Sequence, residues 1–202
     1  MSDPRPYAAL LAKGEHRKQL ILSASQRLLT RNGWRTTTLG QIARAAGISP
    51  SGLLHHFRSK MHLLEAVLDA RDAYDEARID TSRDILEQLQ HVADRIAKAP
   101  EMVGMYAVLR MENLDPGAPL HDRLTGRHRA AVATVAEGIR RGQRTGGYRT
   151  DLDPATKAEE IVAFLNGIET SWLIDPSTPV DEVFKEYIAS LSRQLARPAD
   201  GS

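Results

Sequence analysis

The chain has 202 residues, 42% of them hydrophobic, enough for one extended core or for a small domain joined to a larger one. It contains no cysteine, which excludes a disulfide framework and a thiolate zinc site. No run approaches the roughly 18 apolar residues of a membrane span, and Asp3, Pro4 and Pro6 stand where a signal peptide carries charge and then apolar residues, so the expected location is the cytoplasm.

The formal net charge of +1 hides a split: residues 1–60 hold ten Lys/Arg against Asp3 and Glu15, a net of +8, and the remainder carries −7. A basic head on an acidic body suits phosphate binding, because Lys and Arg gain affinity by releasing counterions from DNA. A plain solvated surface would show the same totals.

Apolar residues recur at helical spacing almost everywhere and strict alternation is absent, so the fold class is all-α. Residues 1–12 read as a loose tail. The first helix is expected from about Glu15 to Asn32, with Leu20, Ile21, Ala24 and Leu28 on its inner face, Gly33 ending it and Trp34 folding back. Thr38 and Gln41 have the spacing of a capping box, so a second helix starts at Thr38, with Ile42, Ala43 and Ala46 inward and Gly47 at a sharp turn. Ser49-Pro50 restarts the helix as a cap followed by proline at the first helical position. Ser59 caps the next, whose apolar face is Leu64, Val67 and Leu68, to about Ala77. Further helices are expected near 82–98, 101–113, 119–145, 154–174 and 180–196, separated by Pro and Gly. Asp153-Pro154 and Thr178-Pro179 both have the form of a cap with proline behind it, and residues 197–202 read as a second loose tail.

Two short helices across a tight turn, with the small residues Ala43, Ala46 and Gly47 where they cross, match a helix-turn-helix, whose second helix enters the major groove. An ordinary helical hairpin has the same spacing. The run from Thr37 to Lys60, TTLGQIARAAGISPSGLLHHFRSK, aligns without a gap with the signature of TetR-family transcription regulators, which it closely resembles. The resemblance covers about residues 15–65; beyond them it is one of helical layout. It implies a three-helix DNA-binding domain over residues 13–60 and a roughly six-helix regulatory and dimerisation body over 61–196. The chain departs from the family where Leu54 stands in place of the usual tyrosine, and where Ser51 and Gly52 replace the usual glycine and threonine.

By that resemblance Thr38 and Lys60 position phosphates at helix starts, Gln41, Arg44, Pro50, Ser51, Gly52 and His55 form the groove-facing set, and Ser49 is a further DNA-binding candidate. Arg44 reads either guanine edges through its guanidinium fork or phosphate alone. His55 and His56 are candidates for phosphate contacts, with core packing beside Phe57 the alternative for His56.

The same resemblance implies a homodimer through the last two helices, where Ile161, Leu165, Ile168 and Trp172, and then Phe184, Tyr187, Leu191 and Leu195, follow helical spacing. Those stripes would serve an intrachain core equally well. Met102, Met105, Tyr106, Leu109 and Met111 line either a ligand pocket or plain core, with Asn113, His128 and Asn166 as polar candidates. The implied function is a repressor, bound as a dimer to palindromic double-stranded DNA and released by a small apolar or amphipathic effector. No cofactor or membrane partner is implied. His55, His56 and His62 lack an acidic partner at metal-ligand spacing, and neither a glycine-rich phosphate loop nor a serine nucleophile elbow occurs, so an enzyme is not expected. A helix-turn-helix that binds protein instead of DNA is the rival, and salt-dependent duplex binding separates the two.

Overall fold

A computed structural model describes residues 5–77, 80 and 83–197. They form nine α-helices and no strand: α1 (Arg5–Thr36), α2 (Leu39–Ala45), α3 (Pro50–His56), α4 (Lys60–Glu76), α5 (Ile85–Lys98), α6 (Pro100–Glu112), α7 (His121–Arg144), α8 (Pro154–Ile174) and α9 (Val180–Leu195). The chain divides into two compact units, residues 1–77 and 78–202. The first therefore includes α4, which the sequence reading assigns to the body. No helix among the described residues is long and apolar enough to cross a membrane.

In the first unit, α1 starts at Arg5, earlier than the expected Glu15. Pro6 near its start and the Ala-Ala-Leu-Leu-Ala run behind it are good helix-opening chemistry, which the reading of 1–12 as a loose tail passed over. Residues 1–4 and 198–202, the outer parts of both expected tails, lie outside the described residues. The helical conformation breaks at Gly33, where φ is 72° and ψ 170°, backbone that a glycine adopts without steric cost.

The inner face of α1 differs from the expected one. Ile21, Leu22, Ala24, Ser25 and Leu29 are buried, Leu28 is half-buried and Leu20 is exposed. Ser25 is tolerated inside because its hydroxyl donates to the Ile21 carbonyl at 2.7 Å. Ile42, Ala43, Leu53, Phe57, Leu63, Leu64, Val67 and Leu68 are also buried in this unit.

In the second unit α7 packs along α8 and α9 along α5, with α6 also against α8. Ile85, Leu89, Ile139, Tyr148, Ile161, Leu191 and Leu195 belong to one apolar cluster, and Ala93, Ile96, Ile168 and Phe184 form a second. The α7–α8 connection is locked from both sides. A Cβ on Gly142 would lie 2.3 Å from the Tyr148 ring, so the ring needs glycine beneath it. The Tyr148 hydroxyl donates to Asp84 at 2.5 Å, and the other Asp84 oxygen accepts from the Leu86 N–H at 2.8 Å. Burial and the Asp84 carboxylate push the Tyr148 phenol far above its ordinary pKa, so it stays protonated.

Asp153 caps α8 as expected, accepting from Thr156 N–H at 2.8 Å with Pro154 behind it. The parallel start at Thr178-Pro179 does not form. Pro179 itself takes the cap position of α9, and the Thr178 hydroxyl donates instead to the Asp175 carbonyl at 2.7 Å, within a turn that Asp175 organises.

Candidate nucleic-acid interface

Local chemistry positions the helix pair. The Thr38 hydroxyl accepts from Gln41 N–H at 3.2 Å while the Gln41 carbonyl oxygen accepts from Thr38 N–H at 2.7 Å, the reciprocal box read from the sequence. With its acceptor engaged, Gln41 presents an amide NH2, a donor, to the exterior. Gly47 has φ of 69°, and the bonds Ile48 N–H to Ala43 O (3.0 Å) and Gly47 N–H to Arg44 O (3.2 Å) close a Schellman turn behind α2. Ser49 then accepts from Gly52 N–H at 3.0 Å, with Pro50 at the helix start. A Cβ on Gly52 would sit 3.1 Å from that Ser49 oxygen, so the small residue keeps the cap uncrowded.

Leu53 and Phe57, four residues apart, anchor α3 inward at 0% and 2% exposure. The opposite side is consequently turned to solvent: Pro50, Ser51, Leu54 and His55 are exposed, as are Thr38, Gln41, Arg44 and Ser49 before it. Gly52, His56 and Lys60 are half-buried. The His56 ring tilts against Phe57 at 6.5 Å, in keeping with the packing alternative. The Lys60 ammonium lies 4.9 Å from the Trp34 ring centre and 3.5 Å from the Arg35 carbonyl, a cation–π seat that anchors it beside the loop before α4. His62 Nδ1 accepts from Arg58 N–H at 3.2 Å and so helps close the α3–α4 turn. Arg44 and Arg58 are exposed and their side chains have no hydrogen-bond or ion-pair partner among the described residues. A short exposed helix flanked by unneutralised cations is what a duplex groove accepts.

The family model for bacterial regulatory proteins of the tetR family matches residues 21–67, the segment just described, and the model for the C-terminal region of BetI-type transcriptional repressors matches residues 115–195. The chain belongs to the TetR family. It is a TetR-family DNA-binding transcriptional regulator. It is 25% identical over 173 residues to the transcriptional regulator TtgR of Pseudomonas putida, covering 78% of this chain and 80% of that one. A TetR-family regulator from Rhodococcus sp. superposes with a TM-score of 0.73 at 25% identity, covering 90% of this chain and 100% of that one. SmeT in complex with triclosan superposes with a TM-score of 0.76 at 17% identity, over 92% and 93% of the two chains, a likeness of fold.

In the TetR body the proposed effector residues separate. Met105, Tyr106, Leu109 and Asn113 are buried, Met102, His128 and Asn166 are half-buried, and Met111 is 54% exposed and so leaves the apolar lining. Asn113 serves the α6–α7 connection: its amide donates to Leu109 O at 2.7 Å and accepts from Leu120 N–H at 3.2 Å. His128 pairs with Glu159 at 2.9 Å, joining α7 to α8. Around Tyr106 three helices converge. The guanidinium groups of Arg110 and Arg127 lie 5.7 and 4.9 Å from its ring centre, and Arg110 donates to the Asn166 carbonyl oxygen. The sequence reading missed both arginines, although Arg110 stands four residues after Tyr106, on the same face of one helix.

The residues expected at the dimer interface follow, in this chain, the intrachain alternative that their spacing also allowed. Ile161, Ile168, Phe184, Leu191 and Leu195 are buried in the chain's own clusters, and Leu165, Trp172 and Tyr187 pack against them. Tyr187 stacks on Phe164 at 3.6 Å, and burial pushes its phenol up to about 12. The apolar stripes of α8 and α9 pack against α7 and α5 of the same chain. The exposed side of α8 carries Ala163, Gly167, Ser171 and Ile174, and that of α9 carries Ala189 and Ser192.

Proposed function

We infer that this regulator is a homodimeric repressor that binds palindromic operator DNA from the cytoplasm and is released by an amphipathic small molecule, acting by binding and not by catalysis. The observation that carries the reading is the solvent-facing side of α3, where Ser51 and His55 lie exposed while Leu53 and Phe57 fix the helix from behind. One seven-residue helix reads few base pairs, so two heads related by a two-fold axis are needed to recognise a site. Within the head, Thr38 and Lys60 position phosphates, Arg44 and Gln41 reach base edges, and Ser49, Pro50, Ser51, Gly52 and His55 line the groove.

Dimerisation through the outer faces of α8 and α9 is supported by Gly167, where an added Cβ meets nothing within 4 Å of the chain itself. Close approach of a second helix is what such a surface allows. For the effector, Tyr106 with Arg110, Arg127 and Asn166 supplies an aromatic wall and donors, next to Met102, Met105 and Leu109. This suits a ligand with an apolar body and an acceptor group, and SmeT's complex with triclosan is in keeping with it. A coupling of about 1–3 kcal/mol between effector and DNA would be enough to loosen the operator.

Selection of bound sites from random duplexes is the test, followed by sedimentation of the protein alone and on the selected site. A palindrome bound by two chains is the expected outcome; an asymmetric site bound by one chain would refute the dimer reading. Gly167→Arg should leave the helical spectrum intact and produce a monomer with weak DNA binding. Release of the complex by amphipathic compounds with an acceptor, lost in Arg110→Gln, is expected of the effector site.

A further inference from the structure

We propose that Leu54 reads a thymine methyl group in each half-site. The inference rests on the operator-binding reading and adds to it a determinant of sequence. Leu54 is 46% exposed, and what sets it apart from the other exposed apolar residues is its place on the recognition helix itself, beside the exposed Ser51 and His55. With about 100° of turn per residue, it lies about 60° around α3 from Ser51 and about 100° from both His55 and the inward-facing Leu53. Leu54 thus sits at the edge of the polar surface turned to DNA, with the exposed Arg58 just beyond the helix end.

The chemistry of the side chain narrows what it can recognise. A leucine has neither donor nor acceptor, so it engages phosphate oxygens and the polar base edges poorly. The major groove displays one apolar feature, the C5-methyl of thymine. Seating Leu54 on that methyl removes apolar surface of both from water, whereas cytosine at the same place offers a ring C–H and an amino group that leucine leaves unpaired. The polar and cationic neighbours make an apolar protein partner a poor match for this patch, and any such partner would cover Ser51 and His55 as well. A leucine lying along deoxyribose would bury similar area with no dependence on sequence, which is the distinction to be measured.

The experiment uses the full-length protein and the duplex recovered by site selection. Each thymine is replaced in turn by deoxyuridine, which pairs identically and lacks only the methyl, and binding of the wild type and of Leu54→Ala is measured. The wild type is expected to lose about fourfold in affinity per half-site at one symmetric thymine position, the value of about one buried methyl group. Leu54→Ala should bind the thymine duplex more weakly and be indifferent to deoxyuridine at that position. Its exposed site and alanine's helix preference keep the fold, and circular dichroism verifies this. A wild type insensitive to deoxyuridine at every position overturns the proposal, as does an equal loss in both proteins. Failure to recover any bound site would sink the operator reading itself, so the two failures are distinct.

Discussion

In the residues up to Ala77, Arg27, Arg31, Arg44 and Arg58 reach solvent with no side-chain partner among the described residues, whereas several exposed cations of the second unit have acids beside them. There Arg140 and Arg144 share Glu137, Arg149 meets Asp151 at 2.5 Å, Lys157 contacts Glu160, and Arg83 lies 3.0 Å from Asp80. Those pairs hold the Glu137 and Asp151 carboxyls below their ordinary range. Exposed pairs contribute little to stability, typically about 0–1 kcal/mol each. Their consequence is electrostatic: the paired charges of the body offset one another locally, and the four unpaired arginines of the head stay available to a polyanion outside the chain.

The sharpest way to break this comparison is salt. If the head's cations neutralise six or more phosphates across a dimer, affinity for the selected duplex should fall by about a thousandfold or more between roughly 50 and 200 mM salt. A flat titration would return the head to the class of protein-binding hairpins. Next in size, Arg44→Gln should cost about 1–3 kcal/mol of specific binding in a gel-shift or anisotropy titration and leave the melting temperature unchanged, since the side chain is exposed.

In the body the sensitive positions are steric. Gly142→Ala should lower stability by about 1–3 kcal/mol in denaturant titrations, because the new Cβ expels the Tyr148 ring and breaks its bond to Asp84. Thr38→Ala removes the α2 cap and should cost about 1 kcal/mol, read by the same titration. Smallest of all, Arg144→Gln should change stability by under about 0.5 kcal/mol and leave DNA affinity alone. An Arg144 effect on DNA as large as that of Arg44 would erase the distinction between the two units.

Much of the head was legible because its signals are local. Thr38 and Gln41, Ser49 and Gly52, and Ser59 and His62 satisfy one another within three residues, so the bonds follow from chain connectivity. Asp153 with Thr156 is the same case in the body. Thr178 misled because a competing local bond, to Asp175, was equally close in sequence. Leu20 misled for another reason: on α1 apolar residues occur on more than one face, and neighbouring helices select Leu22 and Leu29 for burial.

By itself the amino-acid order determined the nine helices, the caps at Thr38, Ser49, Ser59 and Asp153, the positive-φ glycines at 33 and 47 and the location of the unneutralised charge. Each of these depends on residues a few positions apart or on a simple sum. Only the tertiary structure decided that the stripes of α8 and α9 close the chain's own core, that Arg110 and Arg127 meet over Tyr106, and that Leu54 is turned outward while Leu53 is not. Those outcomes depend on packing, in which helices distant along the chain compete for the same apolar surface.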